Sequence, residues 1–333
     1  MNSTLKKLLQ YGFFLGLGIL LIYWQYNKMS ASDKDSFVQS IRNTKYVYLI
    51  PVILLAITSH VSRAIRWRYL IQPLAHKPKL SNAFATVMIG YLVNSLAPRA
   101  GEVAKCGLLG KREKISFEKL IGTILVERAI DLLCYAVIII TTIILQYSNL
   151  KALLLSLYNK ALTNSAMHPL LKLTIYIVII LGFLFLIRFL LRKYKDNKLL
   201  KKISTSIGDV KAGFQSIKQL QEKKAFWIHT TVIWLCYLAQ IYVGFKAMDF
   251  TSHLGVDAAF AVLTLGTLAM IVTPGGIGSF PIAVAEVLLV YSIAFNNANA
   301  FGWIMWGAST SIIVVLGILC FIWFEYTKPK LTT

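Results

Sequence analysis

The chain has 333 residues, 57% of them hydrophobic and 15% charged, with a formal net charge of +21. A soluble domain carries nearer one quarter charged residues, and the apolar residues here gather in blocks of bilayer length, so an ordinary soluble fold is excluded in favour of an all-α, polytopic helical membrane bundle. The runs are continuous rather than alternating, which excludes a strand barrel, and the excess positive charge reads as cationic loops on anionic lipid, with no nucleic-acid partner.

The spacing predicts eight spans: 8–24, 46–64, 120–146, 171–191, 225–246, 256–272, 281–297 and 301–324. The whole of 1–333 reads as a single integral membrane domain. The first run follows Lys6 and Lys7 and resembles a secretory signal, with Ser30-Ala31-Ser32 as a weak cleavage site. Its length, and the bulky Trp24, Gln25 and Tyr26 before those small residues, favour an uncleaved first span.

A ninth apolar piece, 81–97, is short, holds Asn82, Asn94 and Ser95, and runs into Pro98. Such a piece is expected to enter and leave on one side. With that assignment, 26 of the 35 Lys and Arg residues fall in the segments of one side and 8 in those of the other. Among the first set are 63–80, 98–119 and 188–224, together with the uncharged 273–280. The positive-inside rule then places both termini in the cytoplasm of a cell-membrane protein.

Segment 198–224 repeats apolar residues every three or four positions, opposite Lys201, Lys202, Lys211, Lys218 and Lys223. It reads as an amphipathic helix, either on the cytoplasmic lipid surface or on the protein's own loops.

Three stretches carry the candidate chemistry. In Asn94-Ser95-Leu96-Ala97-Pro98-Arg99-Ala100-Gly101-Glu102, proline and glycine can end a half-helix at membrane depth. Arg99 then either meets an anionic headgroup or is a solvated charge of an ordinary turn, and Glu102 balances Arg99 or Lys105. Glu127, Arg128 and Asp131 stand on a predicted span. Glu127 and Asp131 share a face and repel unless a cation, a proton or a donor lies between them; Arg128, at i+3 from Asp131, and Arg99 are candidate partners. The group is either a site or a structural ion pair. The third stretch, Thr273-Pro274-Gly275-Gly276-Ile277-Gly278, breaks two apolar runs without any charge. Its glycines either offer backbone donors to an anionic group or form a tight turn. Glu286, among apolar neighbours in the following span, is expected to face the bundle interior. The two broken segments fall in the two halves of the chain, a pattern that points to a transporter-like midplane site, although they share little beyond Pro and Gly. Cysteines and histidines are scattered, with no metal or disulfide spacing and no cofactor motif.

In order and spacing these three blocks resemble the transmembrane region of the lysylphosphatidylglycerol synthase family, the flippase-like integral membrane proteins, over about 8–325. The resemblance implies a bundle with broken, partly inserted helices that moves a lipid between leaflets. In multidomain relatives a separate soluble domain makes the aminoacylated lipid. This sequence, which stops at Thr333, is therefore expected to be no synthase and to bind membrane lipids of anionic or polar headgroup, with a separate lipid-modifying enzyme as a further partner. On that expectation Asn94, Arg99, Glu102, Glu127, Arg128, Asp131, Pro274, Gly275, Gly276, Gly278 and Glu286 are the substrate-binding residues. Two departures from the family pattern stand out: Ser279-Phe280-Pro281 follows the glycines without a charge, and Lys105-Cys106 stands where Arg is common. The alternatives are an ion- or proton-coupled transporter of a small solute and a membrane scaffold for a lipid-modifying enzyme.

Overall fold

A computed structural model describes residues 31–97, 99–147 and 220–327. The expected spans 8–24 and 171–191, Pro98, and all but the last five residues of the expected amphipathic segment 198–224 lie outside them. Nine α-helices occupy the described residues: α1 Ala31–Arg42, α2 Leu49–Ile71, α3 Leu80–Leu96, α4 Ala100–Glu113, α5 Phe117–Leu145, α6 Lys223–Phe245, α7 Val256–Val272, α8 Ser279–Leu289 and α9 Phe295–Tyr326. Among the described residues, four helical stretches are long and apolar enough to cross a bilayer: Tyr46–Leu74, Phe117–Leu145, Lys223–Phe245 and Phe295–Tyr326. The chain is a multi-pass helical membrane bundle, as its composition requires.

Two helical hairpins lie among the long helices. In the first, α3 ends at Leu96 and α4 returns, so the short segment read from the sequence as re-entrant does turn back. Its two outer ends are tied, because Asn82 Nδ2 and the Lys79 amide both donate to Glu113 Oε1. In the second, α7 and α8 are joined through the glycine break, and their outer ends are tied where Tyr291 Oη donates to Asp257 Oδ2 at 3.2 Å. At 11 residues, α8 is only about 16 Å long against a hydrocarbon core of about 30 Å. The expected span 281–297 is therefore not one helix: α8 stops at Leu289, and residues 295–297 already belong to the 32-residue α9.

The hairpins open towards opposite ends of the bundle. The first opens beside Arg112, which reaches Thr327 at the end of α9. The second opens beside Gln146 at the end of α5, whose Nε2 donates to the Asp257 carbonyl at 3.2 Å. Their tips meet inside: a Cβ on Gly275 would lie 3.6 Å from Ser95 Cα, and Trp306 Nε1 donates to the Gly275 carbonyl at 2.7 Å. The glycine break, expected from the sequence on the side of the basic loops, is thus the inner tip of a hairpin.

This arrangement is an inverted repeat. Helices α2–α5 have 23, 17, 14 and 29 residues, and α6–α9 have 23, 17, 11 and 32. Gly90 stands ten residues into α3 and is approached by Gly101, the second residue of α4; Gly266 stands ten residues into α7 and is approached by Phe280, the second residue of α8. Arg99 and Gly275 each follow their helix end by three positions, each after a proline, and both are left-handed, at φ 64° and 58°. Arg63 and Tyr237 stand fourteen residues after the starts of α2 and α6 and touch each other, Arg63 Nη2 donating to Tyr237 Oη at 3.1 Å. The second half is held by an apolar core that includes Phe245, Phe301, Val262, Val284 and Leu288. The first half packs around Trp67, Ile71, Leu109, Leu120 and Phe226.

Candidate functional site

The first half of the repeat holds a buried ion network. Glu127, 3% exposed, accepts from Arg63 Nη1 at 2.8 Å, Arg66 Nη2 at 3.3 Å and Lys105 Nζ at 3.0 Å. One helical turn on, Asp131 pairs with Arg63 Nη1 and Arg66 Nη1, both at 2.8 Å. The two carboxylates on one face of α5 therefore do have cations between them, supplied by α2. Arg63 and Arg66 are themselves three residues apart and so project on one side of α2. The Lys105 ammonium also lies 4.0 Å over the Trp67 ring, a second stabilising contact for a charge held away from water. Trp67 is fixed in turn by its Nε1 donating to Thr123 Oγ1 at 2.9 Å.

Arg128 points elsewhere. Consecutive residues on a helix diverge by about 100°, which turns Arg128 off the Glu127 face towards α4, where its Nη2 meets Glu102 Oε1 at 2.5 Å. The expected pairings of Arg128 with Asp131, and of Glu102 with Arg99 or Lys105, are corrected accordingly. Arg99 is exposed and makes no ion pair with Glu102, Glu127 or Asp131. It stands at the hairpin tip, whereas Lys105 enters the network from the next turns of α4.

Asn94 connects the hairpin to the network. Its Oδ1 accepts from the Gly101 amide at 2.8 Å, capping a helix start that has no cap from its own N-terminal residue. A Cβ on Gly101 would overlap the Gly90 carbonyl oxygen and crowd Asn94, so glycine is required where α3 and α4 cross. Beneath this crossing lies a cavity of about 20 Å³, bordered by Asn94, Glu102, Lys105, Glu127, Arg128 and Arg63. That volume holds roughly one water molecule.

Arg63 and Arg66 were missed as site residues, both being counted with the basic segment 63–80 although Arg63 also ended the expected span 46–64, and Lys105 was matched to Glu102 rather than Glu127. A signal was present: the apolar pattern continues past residue 64 through Ile65, Trp67, Leu70 and Ile71, so the two arginines sit within a helix rather than after one. The break that holds Pro274, Gly275, Gly276 and Gly278 forms the opposing hairpin tip rather than part of the ion network, with Gly275 against Ser95. There Gly275, Gly276 and Gly278 all have positive φ, and Thr273 Oγ1 and Ser279 Oγ lie 2.6 Å apart across the turn. Glu286 is exposed, contrary to expectation. The buried face of α8 is Pro281, Val284, Ala285, Val287 and Leu288, which leaves position 286 on the far side. Among the described residues, no group of three or more His, Cys, Asp or Glu is placed to hold a metal ion.

A sequence model of the lysylphosphatidylglycerol synthase TM region matches residues 9–319. The chain belongs to this family. It is also similar to the UPF0104 membrane protein MJ1595 of Methanocaldococcus jannaschii, at 24% identity over 286 residues, an alignment covering 79% of each chain. No solved structure matches. In this family member, three of the sequence motifs bear on two places: Asn94 to Glu102 and Glu127 to Asp131 build the ion network, and the glycine motif builds the opposing hairpin tip.

Proposed function

We propose that this protein is a lipid translocase that moves a lipid with an anionic or polar headgroup between leaflets of the cell membrane, its basic end and both termini facing the cytoplasm. The observation that carries the reading is the charge of the buried network. Three cations, Arg63, Arg66 and Lys105, stand against two carboxylates, Glu127 and Asp131, so one positive charge is left over, and the more exposed Arg128–Glu102 pair beside it adds no net charge. A surplus cation at membrane depth is costly without a counter-charge, and the phosphate of a lipid supplies one while its tails remain in the bilayer.

The inverted repeat supports the same reading, since transporters of this construction place their substrate where the broken segments meet and work by moving one repeat against the other. The cavity at the network is far too small for a headgroup. Loading therefore requires the α3–α4 hairpin to swing away from α2 and α5, about its connections to them at residues 72–79 and 114–116. Arg128 and Glu102, the more exposed pair, form the outer layer that parts first.

The test is translocation of reporter-labelled lipids by the purified protein in proteoliposomes, with phosphatidylglycerol, phosphatidylethanolamine, an aminoacylated lipid and a polyprenyl phosphate compared. Selective movement of one class establishes the function and names the substrate. Gradient-driven solute uptake without lipid movement would replace it with the small-solute transporter.

A further inference from the structure

A second cleft lies at the end of the bundle away from the basic loops, and it has a different chemistry. Helix α1 directs Phe37 and Ile41 into the core of the second half. Its Ser36, Gln39, Ser40 and Asn43 follow i, i+3, i+4 and i+7 spacing, so they form one uncharged polar face. That face borders a cleft of about 340 Å³, within the range of small-molecule sites. The opposite wall is Asn297 from the start of α9 and Asp249 from the turn after α6, with Met248 and Phe250 as its apolar part.

We infer that this cleft binds a neutral, polyhydroxylated group such as a sugar ring. Its charge decides against ions. The one charged lining residue, Asp249, is already matched by Lys45, whose Nζ meets Oδ1 at 2.5 Å, so neither an anion nor a cation finds an uncompensated partner. Its hydrogen-bonding groups match hydroxyls. Amides both donate and accept, as sugar hydroxyls do, and the Gln39 and Asn43 side-chain amides form no hydrogen bond among the described residues. Asn297 is held in place because its Oδ1 accepts from Ser40 Oγ at 3.0 Å, which leaves its NH₂ to donate. Phe250, only partly buried and backed by the core residue Met248, gives the C–H face of a ring an apolar surface. The cleft shares no residue with the ion network, so this inference stands or falls independently of the translocase reading.

The experiment is calorimetric titration of the full chain, purified in an amine-oxide detergent so that no detergent sugar competes. Methyl glucoside and myo-inositol are the neutral probes, glycerol 3-phosphate the anion and ethanolamine the cation. A second arm uses nanodiscs with or without a monoglucosyl diacylglycerol, which separates a free sugar from a lipid headgroup as the natural source. Saturable binding of a neutral probe or of the glucosyl lipid is expected. It should weaken at least tenfold in Gln39→Ala/Asn43→Ala and again in Asn43→Asp, which keeps the size and adds a charge, with Tm unchanged. The inference is overturned if no neutral probe or glucosyl lipid binds saturably, if a charged probe binds more tightly, or if both folded variants bind like wild type.

Discussion

Replacing Glu127 with glutamine changes almost nothing in shape and removes the charge that three cations share. The carboxyl is 3% exposed and lies within 3.3 Å of Arg63, Arg66 and Lys105. Removing one partner of a buried ion pair leaves the other uncompensated and costs about 3–5 kcal/mol. For a chain of this size each kcal/mol moves the unfolding midpoint by about 2 °C, so Glu127→Gln is expected to lower Tm by roughly 6–10 °C. The assay is thermal unfolding followed by tryptophan fluorescence at fixed protein and detergent concentration. Adding Lys105→Met to Glu127→Gln restores the native surplus of one positive charge, and it should recover at least about 1 kcal/mol as a coupling energy. Glu102→Gln is the control. Its partner Arg128 has a side chain 54% exposed, and a solvent-screened pair of this kind contributes about 0–1 kcal/mol. The reasoning is refuted if Glu127→Gln costs no more than Glu102→Gln and the Lys105→Met double variant shows no coupling.

Other expectations concern the hairpins. Gly101→Ala drives a methyl group into the Gly90 carbonyl and Asn94 and should cost about 1–3 kcal/mol. Gly107→Ala, in the same helix with nothing within 4 Å, should be neutral or stabilising by up to about 1 kcal/mol; paired thermal melts decide both. Asn94→Ala removes the acceptor for the Gly101 amide and should cost about 0.5–2 kcal/mol, most of it regained in Asn94→Asp; hydrogen exchange at the first turn of α4 should rise in the first variant and not in the second. Trp306→Phe deprives the Gly275 carbonyl of its donor and should cost about 1 kcal/mol, read as faster proteolysis at residues 273–278.

The helices that sequence located well are those with hard punctuation. The bounds of α7 match expectation because Gly255 precedes it and Thr273-Pro274 follows it. The α3 segment was legible for the same reason, with Pro78 before it and Pro98 after it. The end of α2 was not, since Arg63, Arg66 and Arg68 look like the start of a basic loop until the carboxylates of α5 are placed beside them. Residues 298–300 read as a connection between spans, yet they lie in the first turns of α9, where Asn299 is buried. The actual break, at 290–294, is less polar. Glu286 illustrates a further limit: α8 is apolar nearly all round, and composition alone does not say which side of such a helix is covered. The need for a cation, a proton or a donor between Glu127 and Asp131 followed from helical spacing; which of these it is, and from which residues, depended on tertiary packing.

The surplus positive charge at the network is central to lipid translocation, and Arg128→Gln neutralises it with least damage to the fold, because it leaves the Glu102 carboxylate unpaired beside the cavity that Lys105 and Glu127 also border. The decisive measurement is the initial rate of phosphatidylglycerol translocation in proteoliposomes, wild type against Arg128→Gln, with matched Tm and reconstitution yield. Protein-dependent movement is expected in wild type, with at least a tenfold slower rate in the variant. A folded wild-type protein that moves no anionic or polar lipid, or an Arg128→Gln protein that moves it equally fast, would rule out lipid translocation through this network.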